Sequence, residues 1–483
     1  MKHALYVFLV LALLPKEAWA QWSAGAAKRT ITPTVEPGKV VYLGGFGQNR
    51  TATGVHDPLW ARAFALSDGR RTVALVVADL IGLFYEPDVV AIRELVRRKA
   101  PEVHVIVATT HNHNGPDTLG LWGPAPLVTG INPQYQQWLR QQIADAVVEA
   151  VQSATPVRLR VAALVNDHLA ELQGDGRIPF VKDPQLFVLQ ATEASSKKTI
   201  FTFVQWSSHP ETLGGSNRLV TADYCGVLCA ELERRYGGVA VYANGAIGGL
   251  LGPLDIVGPV QHPKTGKNTP RRSFEEMEAI GLWLARYAAQ ALEAGEWVRA
   301  APRLELKVRQ VFIPLENERF RVLAAAGIID RPLYTEGRKD PRTERRKLAA
   351  LGGAKLPVAV GRALRTELNV VGFGPVQVVT VPGELYPELA NGGYVRYPGA
   401  DYPDAPFEPV IRSHMRAKYK VLIGLGNDEL GYIIPRCEWD NRPPWLNNQP
   451  NETYGEINSC GVQAARVVTE TLREMLAAEP QRH

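Results

Sequence analysis

Residues able to do metal or acid–base chemistry recur at the ends of apolar runs in this chain. Val105-Ile-Val-Ala-Thr-Thr ends in His111-Asn-His113-Asn-Gly-Pro, and Ile200-Phe-Thr-Phe-Val-Gln-Trp-Ser-Ser ends in His209-Pro. Val376-Gln-Val-Val-Thr-Val-Pro-Gly ends in Glu384, Lys420-Val-Leu-Ile-Gly-Leu-Gly-Asn-Asp runs towards Tyr432, and Asp79 closes Thr72-Val-Ala-Leu-Val-Val-Ala. Side chains at the carboxyl ends of strands project from a rigid scaffold into loops, where α/β proteins gather their ligands. Singly, each residue has a plain structural role open to it. A His after a strand is often just hydrogen-bonded, Glu384 could favour the amino end of a Glu-Leu-Tyr-Pro-Glu-Leu helix, and Tyr432 could be a buried aromatic with a satisfied hydroxyl. Jointly, nitrogen and oxygen donors suit Zn²⁺, and two His with one carboxylate leave room for a water whose pKa falls to about 7. The chemistry that follows is hydrolysis at neutral pH.

The elements that must position these residues read as an α/β fold with mixed, partly parallel sheets and flanking helices. Thr72–Ala78 and Val103–Ala108 are continuous apolar runs of strand length, and Pro87–Arg98 between them has the periodicity of an amphipathic helix. Such a βαβ unit places two parallel strands side by side under a helix. Further helices are predicted over 134–153, 222–236, 274–294 and 455–476, and strands over 156–164, 185–192, 199–206, 238–243, 303–312, 375–381 and 418–424. One segment departs from this regularity. Residues 317–365 are rich in Arg and Lys, with Gly352-Gly353 following, which reads as a solvated helical excursion or lid, or as an ordinary charged surface helix.

The chain has 483 residues, of which 46% are apolar and 21% charged, so it can bury a large core and lacks the composition of a disordered protein. Its 54 basic and 49 acidic residues are dispersed and leave a net charge of +5, which gives no basic surface for nucleic acid. Lys2 and His3, the 11-residue apolar run Ala4–Leu14 and the small-residue site Ala18-Trp19-Ala20 predict a signal peptide over 1–20 cleaved after Ala20, followed by a single domain over 21–483. The run is too short to span a bilayer, and no transmembrane segment is expected later. Export to a secreted or periplasmic location permits disulfides. Cys225 and Cys229, at i and i+4, read as a helix core face, and Cys437 and Cys460, in Pro/Asn-rich loops, as the better candidates for a bridge. There is no Gly-x-Ser-x-Gly elbow, no His-Glu-x-x-His, no Walker A loop and no Gly-x-Gly-x-x-Gly after a strand, so serine-hydrolase and dinucleotide chemistry lack support. A two-metal phosphoesterase would need more oxygen ligands than Asp79 and Asp223 add.

At these motifs the sequence resembles the neutral, non-lysosomal ceramidase family. Thr110-His-Asn-His-Asn-Gly-Pro116 is similar to the family's Thr-His-Thr-His-Ser-Gly-Pro element, and Gly44-Gly-Phe-Gly with Gly54-Val-His-Asp-Pro-Leu-Trp-Ala-Arg-Ala to its N-terminal turn and strand. Ser208-His-Pro210, Thr221-Ala-Asp-Tyr-Cys-Gly, Val381-Pro-Gly-Glu384 and Gly431-Tyr432 follow in the same order. The resemblance implies one Zn²⁺ held by His111, His209, Glu384 and Tyr432. It also implies that His113 lies beside the metal and stabilises the oxyanion of amide hydrolysis, as residues i and i+2 of an extended segment share a side. The implied substrate is an amphipathic N-acyl lipid, ceramide first, met during transient contact with a membrane surface. Three features depart from the family. Asn244-Gly-Ala-Ile-Gly-Gly249-Leu-Leu251-Gly-Pro lacks the family's Asp and its Ser or Asn, Asn112 and Asn114 replace Thr and Ser, and the chain ends without the family's C-terminal immunoglobulin-like domain. Two other readings remain open here: a zinc esterase or amidase on a non-lipid substrate, and a catalytically inactive metal-containing binding protein of the same fold.

Overall fold

A computed structural model describes residues 21–249, 251–446, 449 and 451–478. The segment read as a signal peptide, 1–20, lies outside the described residues, as does Leu250. Two β-sheets lie face to face and helices cover their outer sides, giving four layers in the order helix, sheet, sheet, helix.

The first sheet contains β1 (Ser23–Thr30), β2 (Trp60–Ser67), β3 (Thr72–Ala78), β4 (Val103–Thr109), β5 (Thr155–Leu164), β6 (Leu186–Glu193), β7 (Thr199–Gln205) and β8 (Val239–Ala243), in the spatial order 8-7-6-5-1-2-3-4. Most neighbours are antiparallel, but β3 runs parallel to β4 and β7 parallel to β8. The second sheet contains β9 (Leu304–Pro314), β10 (Ala363–Phe373), β11 (Val376–Thr380) and β12 (Tyr419–Ile423). There β9, β10 and β11 pair antiparallel, and β12 runs parallel to β11.

The apolar run at β3 shows why this sequence needs four layers. Val73, Leu75 and Val77 face the second sheet and meet Leu304, Val371 and Phe373, whereas Ala74, Val76 and Ala78 face the helical layer. A strand with period-two side chains and both faces buried reads as continuously apolar. Helices α1 (Val90–Arg97) and α2 (Pro133–Gln152) cover β1–β4, and α3 (Asp223–Tyr236) and α4 (Phe274–Glu293) cover β5–β8. Helix α5 (Ala464–Ala477) lies on the outer side of β9 and β10. The starts of α2 and α4 are fixed by caps. The Asn132 side chain accepts from the N–H groups of Gln134 and Tyr135, with Pro133 at the first turn, and Ser273 accepts from that of Glu276.

The first sheet is joined between β1 and β5 only by Ser23–Ala24 against Thr155–Pro156. It bends there, so that β8, at one end of the sheet, comes against β2 and β3 near the other. The Arg62 guanidinium donates to the Ala240 carbonyl (3.4 Å), and Asn244 donates to the Thr110 carbonyl just before His111. This bend brings the loops after β4 and β7 together although five strands separate them in the ladder.

Residues 317–365 form one short helix, Glu318–Ala325, and then a two-stranded ribbon, Thr343–Leu348 against Ala354–Ala359, so the Arg/Lys-rich stretch is largely strand and not helix. The predicted helix over 455–476 is two helices, Tyr454–Ile457 and α5. All four cysteines are free and buried: Cys225 and Cys229 face the core on α3, and Cys437 and Cys460 form no bridge. Among the described residues no helix is long and apolar enough to cross a membrane.

Candidate metal centre

Each residue of the expected ligand set follows the carboxyl end of a strand that runs parallel to a neighbour. His111 follows β4, His209 follows β7, Glu384 follows β11 and Tyr432 follows β12. One sheet thus supplies the two imidazoles and the other the carboxylate and phenol. Glu384 and Tyr432 lie opposite one another in a two-residue parallel ladder, with the Glu384 N–H donating to the Gly431 carbonyl at 3.0 Å.

The imidazoles are oriented from behind. His111 Nδ1 donates to the Ile81 carbonyl at 2.7 Å and His209 Nδ1 to the Leu251 carbonyl at 2.8 Å. Both Nε2 atoms then turn to one carboxylate oxygen, Glu384 Oε2, at 3.5 Å from His111 and 2.9 Å from His209. With Nδ1 as donor, neutral imidazole presents a lone pair at Nε2, and a lone pair facing a carboxylate requires a cation or proton between them. Two donor atoms on one tetrahedral zinc, each about 2.0 to 2.1 Å from it, stand about 3.3 Å apart. The observed distances bracket that spacing, and the backbone acceptors behind each Nδ1 are the outer contacts that hold metal-binding His in one tautomer. These residues fit a zinc ion.

The electrostatics agree. Burial lowers His209, but its hydrogen bond to Glu384 outweighs this and raises it to about 9, so a proton occupies the position between the two when no metal does. Burial pushes His111 down to about 4, against the pull of Glu384, leaving its Nε2 unprotonated. Glu384 is held below its usual value despite burial, first by His111 and then by His209 and Tyr432. The Tyr432 phenol is pushed well above its usual value by burial, with Glu384 adding to the effect.

His113 completes a triangle of rings, with its centroid 4.9 Å from His111 and 5.8 Å from His209. The intervening backbone is not extended: His111 has φ 61°, a strained conformation for a residue with a side chain. Neither ring nitrogen of His113 has a hydrogen-bond partner, and burial keeps the ring neutral. Gly45, at φ 79°, packs so closely that a Cβ there would come within 2.4 Å of His113 Nδ1. Arg50 donates to the carbonyls of His113 and, at 2.7 Å, Gly44, tying this loop to the motif. Asn112 and Asn114, which depart from the family pattern, are structural: Asn112 donates to the Thr221 carbonyl (2.8 Å) and Asn114 to Asp223 (3.2 Å).

Asp79 takes no part in the cluster. Its carboxylate accepts from the Trp60 N–H at 2.8 Å and lies on the side of Arg62. Two carboxylates went unread in the sequence. Glu211 approaches His113 Nδ1 to 3.8 Å, and Glu429 forms with His111 and Glu384 a second group spaced to hold a cation. His209-Pro-Glu211 carried a signal in its spacing; Glu429, three residues before Tyr432, carried none separate from that residue. The altered loop also serves the cluster, since the Leu251 carbonyl anchors both the backbone and the ring of His209.

His111, His113, Glu384 and Tyr432 line the floor of a cleft of about 90 Å³, open to solvent, whose walls include Ile81, Phe84, Leu119, Trp122, Phe320 and Leu333. The 317–365 segment supplies part of this wall through Phe320, Ala324, Ile329, Arg331, Leu333 and Leu364.

These features define an α/β protein with a buried His–carboxylate metal-type cluster beneath an apolar cleft. The chain is 25% identical over 357 residues to the neutral ceramidase of Pseudomonas aeruginosa, a match covering 68% of this chain and 49% of that protein. It is 23% identical over 252 residues to the neutral ceramidase of Drosophila melanogaster, covering 49% and 35%. The chain therefore spans about half, or less, of the length of the curated relatives it matches. A solved ceramidase complexed with C2 superposes with a TM-score of 0.67 at 17% identity, covering 95% of this chain and 75% of that one. The crystal structure of the P. aeruginosa neutral ceramidase gives 0.64 at 18% identity, covering 96% and 76%. No protein-family model matches. The chain is thus similar to neutral ceramidases in sequence over about two thirds of its length and in fold over nearly all of it.

Proposed function

We propose that the chain is a zinc-dependent amidohydrolase that cleaves the amide of an N-acyl lipid, with ceramide, giving a sphingoid base and a fatty acid, as first candidate. The observation that carries this reading is the convergence of two backbone-anchored Nε2 lone pairs on one Glu384 oxygen beneath an apolar cleft. His111, His209, Glu384 and Tyr432 would hold the ion. A zinc ion bound there supplies a water acidified to about pKa 7 and polarises the substrate carbonyl. The Phe84, Leu119, Trp122 and Phe320 walls take up the acyl chain and exclude water from the scissile bond. His113, kept neutral by burial, donates one N–H to the oxygen on which negative charge develops, as its lack of any other partner leaves it free to do. Glu211, which burial and nearby carboxylates raise to about 7, stands beside His113 to take up and return a proton near neutral pH.

The relatives named as ceramidases support the lipid amide as substrate, and the catalytic unit is read as residues 21–483. Export guided by residues 1–20 would bring the protein to lipid at a membrane surface. The test is fatty-acid release from N-acyl-sphingosine, with zinc measured on the same protein. Chelator-sensitive release with about one zinc per chain is expected. Chelator-insensitive release removes the metal mechanism, and zinc-loaded protein inert on every amide and ester favours a binding protein.

A further inference from the structure

The loop that follows the His111–Pro116 motif carries a buried carboxylate that the proposed chemistry leaves unused. Asp117 is 2% exposed and lies outside the cleft, beneath a surface groove shared with Pro116, Gly130 and Tyr135. Its carboxylate folds the next residues into a tight turn. Oδ1 accepts from the N–H groups of Leu119 at 3.0 Å and Gly120 at 2.7 Å, and Oδ2 accepts from that of Trp122 at 2.9 Å. An aspartate bonded to the backbone a few residues on is an Asx-type turn, which here reaches as far as the fifth residue. The turn is also tied to its surroundings. The Asp117 N–H donates to the Tyr42 carbonyl at 2.8 Å, and the Thr118 hydroxyl to the Gly82 carbonyl at 2.6 Å. Gly120, at φ 91°, approaches the 317–365 segment so closely that a Cβ there would come within 2.3 Å of the Ile328 carbonyl oxygen.

The side chains presented by this turn, Leu119, Leu121 and Trp122, all line the cleft. There they pack with Ile81, Phe84 and Phe320 in a small hydrophobic cluster separate from the cores of the two sheets. A satellite cluster of this size buries little apolar area, so packing fixes its position weakly and the hydrogen bonds at its base decide where it stands. Bonds from backbone N–H groups to a carboxylate are charge-assisted, and without Asp117 three donors lose their acceptor. The wall so positioned is hydrocarbon, and what hydrocarbon can select is chain: one methylene more or less in an apolar pocket changes selectivity by roughly tenfold or more.

We propose that Asp117 is a positioning residue for substrate selection, holding Leu119, Leu121 and Trp122 as one wall that grips a hydrocarbon chain of the substrate. This rests on the reading of the cleft as a site for N-acyl lipid amides, but it makes a separate claim about chain length.

Two pairs of amides in mixed micelles of one composition test it: hexadecanoyl and acetyl amides of the same amine, and acetyl amides of a long-chain and a short-chain amine. They are compared in the unaltered protein, Asp117→Ala, Asp117→Asn, Trp122→Ala and the double variant Asp117→Ala/Trp122→Ala. The unaltered protein is expected to prefer the long-chain member of at least one pair by about tenfold or more in kcat/KM. Asp117→Ala should lose most of that preference through a raised KM for the long-chain amide, with zinc content and the kinetics on the short-chain amide unchanged. Asp117→Asn keeps an acceptor for Leu119 and Gly120 and should fall between the two. In the Trp122→Ala background the Asp117→Ala change should have little further effect on the preference, because both act through the same wall. No chain-length preference in the unaltered protein overturns the proposal, as do equal losses on long and short amides in Asp117→Ala and full additivity in the double variant. Should Asp117→Ala fail to fold, Asp117→Asn decides, and an unchanged preference there overturns the proposal. If no amide is turned over, calorimetric binding of the same amides replaces KM: a chain-length preference that falls in Asp117→Ala keeps Asp117 in its role and removes the hydrolase reading. Turnover with the preference untouched in Asp117→Ala does the reverse.

Discussion

His111 and His209 each have one nitrogen committed to a backbone carbonyl and the other aimed at Glu384, so removing either ring takes away one of the two imidazole donors that converge on that carboxylate. His111→Ala and His209→Ala are expected to purify with far less than one zinc per chain, which elemental analysis will measure; full occupancy in either would remove that residue from the ligand set. His113→Ala should behave differently, keeping the metal while kcat falls by about a hundredfold to a thousandfold, the usual loss of one oxyanion donor. Zinc loss in that variant would make His113 a ligand, in line with the grouping of the three imidazoles. The residue types in the sequence were enough to nominate these side chains, because donors of the right kind repeatedly followed apolar runs. Their local geometry was not legible. The i, i+2 argument assumed an extended segment, whereas the rings meet because His111 adopts φ 61° while Asn112 is held by the Thr221 carbonyl. Glu211 and Glu429 stayed hidden because a single carboxylate in a loop has no periodicity to mark it.

At the scale of elements, the strands with both faces buried were the most legible, since β3, β4 and β7 each run through the core between two hydrophobic clusters. The ribbon over Thr343–Ala359 was not. Thr-Glu-Arg-Arg-Lys-Leu has neither β-branched density nor period-two burial, and its strand state comes from pairing with Ala354–Ala359 rather than from intrinsic preference. The helix predicted over 455–476 failed for a local reason: Ser459-Cys-Gly461 turns the chain, and Gly431 bridges to Ser459 there. The Gly44–Gly47 turn is the element that sets His113, and Gly45 leaves no space for a side chain beside it. Gly45→Ala is therefore expected to displace the ring and reduce kcat by at least tenfold, with zinc content and the thermal midpoint changing much less than in His111→Ala. An unfolded Gly45→Ala protein, shown by loss of near-ultraviolet circular dichroism, would instead make this turn part of the folding core.

Across the whole molecule, the centre exists only because two sheets meet: one brings His111 and His209, the other Glu384 and Tyr432, and the bend at Ser23–Ala24 brings the first pair together. Stability of the assembled layers then governs the site, and buried carboxylates set its response to pH. Burial raises Asp79, Asp175 and Glu456 to about 7, while Arg412 and other donors hold Asp183 below its usual value against the cost of burial. A carboxyl raised in the folded state binds a proton there that the unfolded chain has already lost. It therefore contributes stability below its unfolded pKa of about 4, and that contribution is lost as pH rises towards 7. A depressed carboxyl such as Asp183 acts in the opposite sense, supporting the fold above about pH 4 and losing that support as pH falls below it. Among these four the raised carboxyls outnumber the depressed one, so their summed contribution weakens from pH 5 towards pH 8, while His111 and His113, lowered by burial, pull in the opposite sense as pH falls below about 6.5. Asp79 isolates one contribution, because Asp79→Asn keeps an oxygen to accept from the Trp60 N–H while removing the charge that burial opposes. Urea titrations in chelator at pH 5 and pH 8, run on the unaltered protein and on Asp79→Asn, isolate the Asp79 contribution as the difference between the two proteins. Between pH 5 and pH 8 the stability of Asp79→Asn relative to the unaltered protein should rise by about 2 kcal/mol. An Asp79→Asn protein whose stability falls with pH as steeply as the parent's would show that Asp79 is ionised throughout, with Arg62 compensating its burial in full.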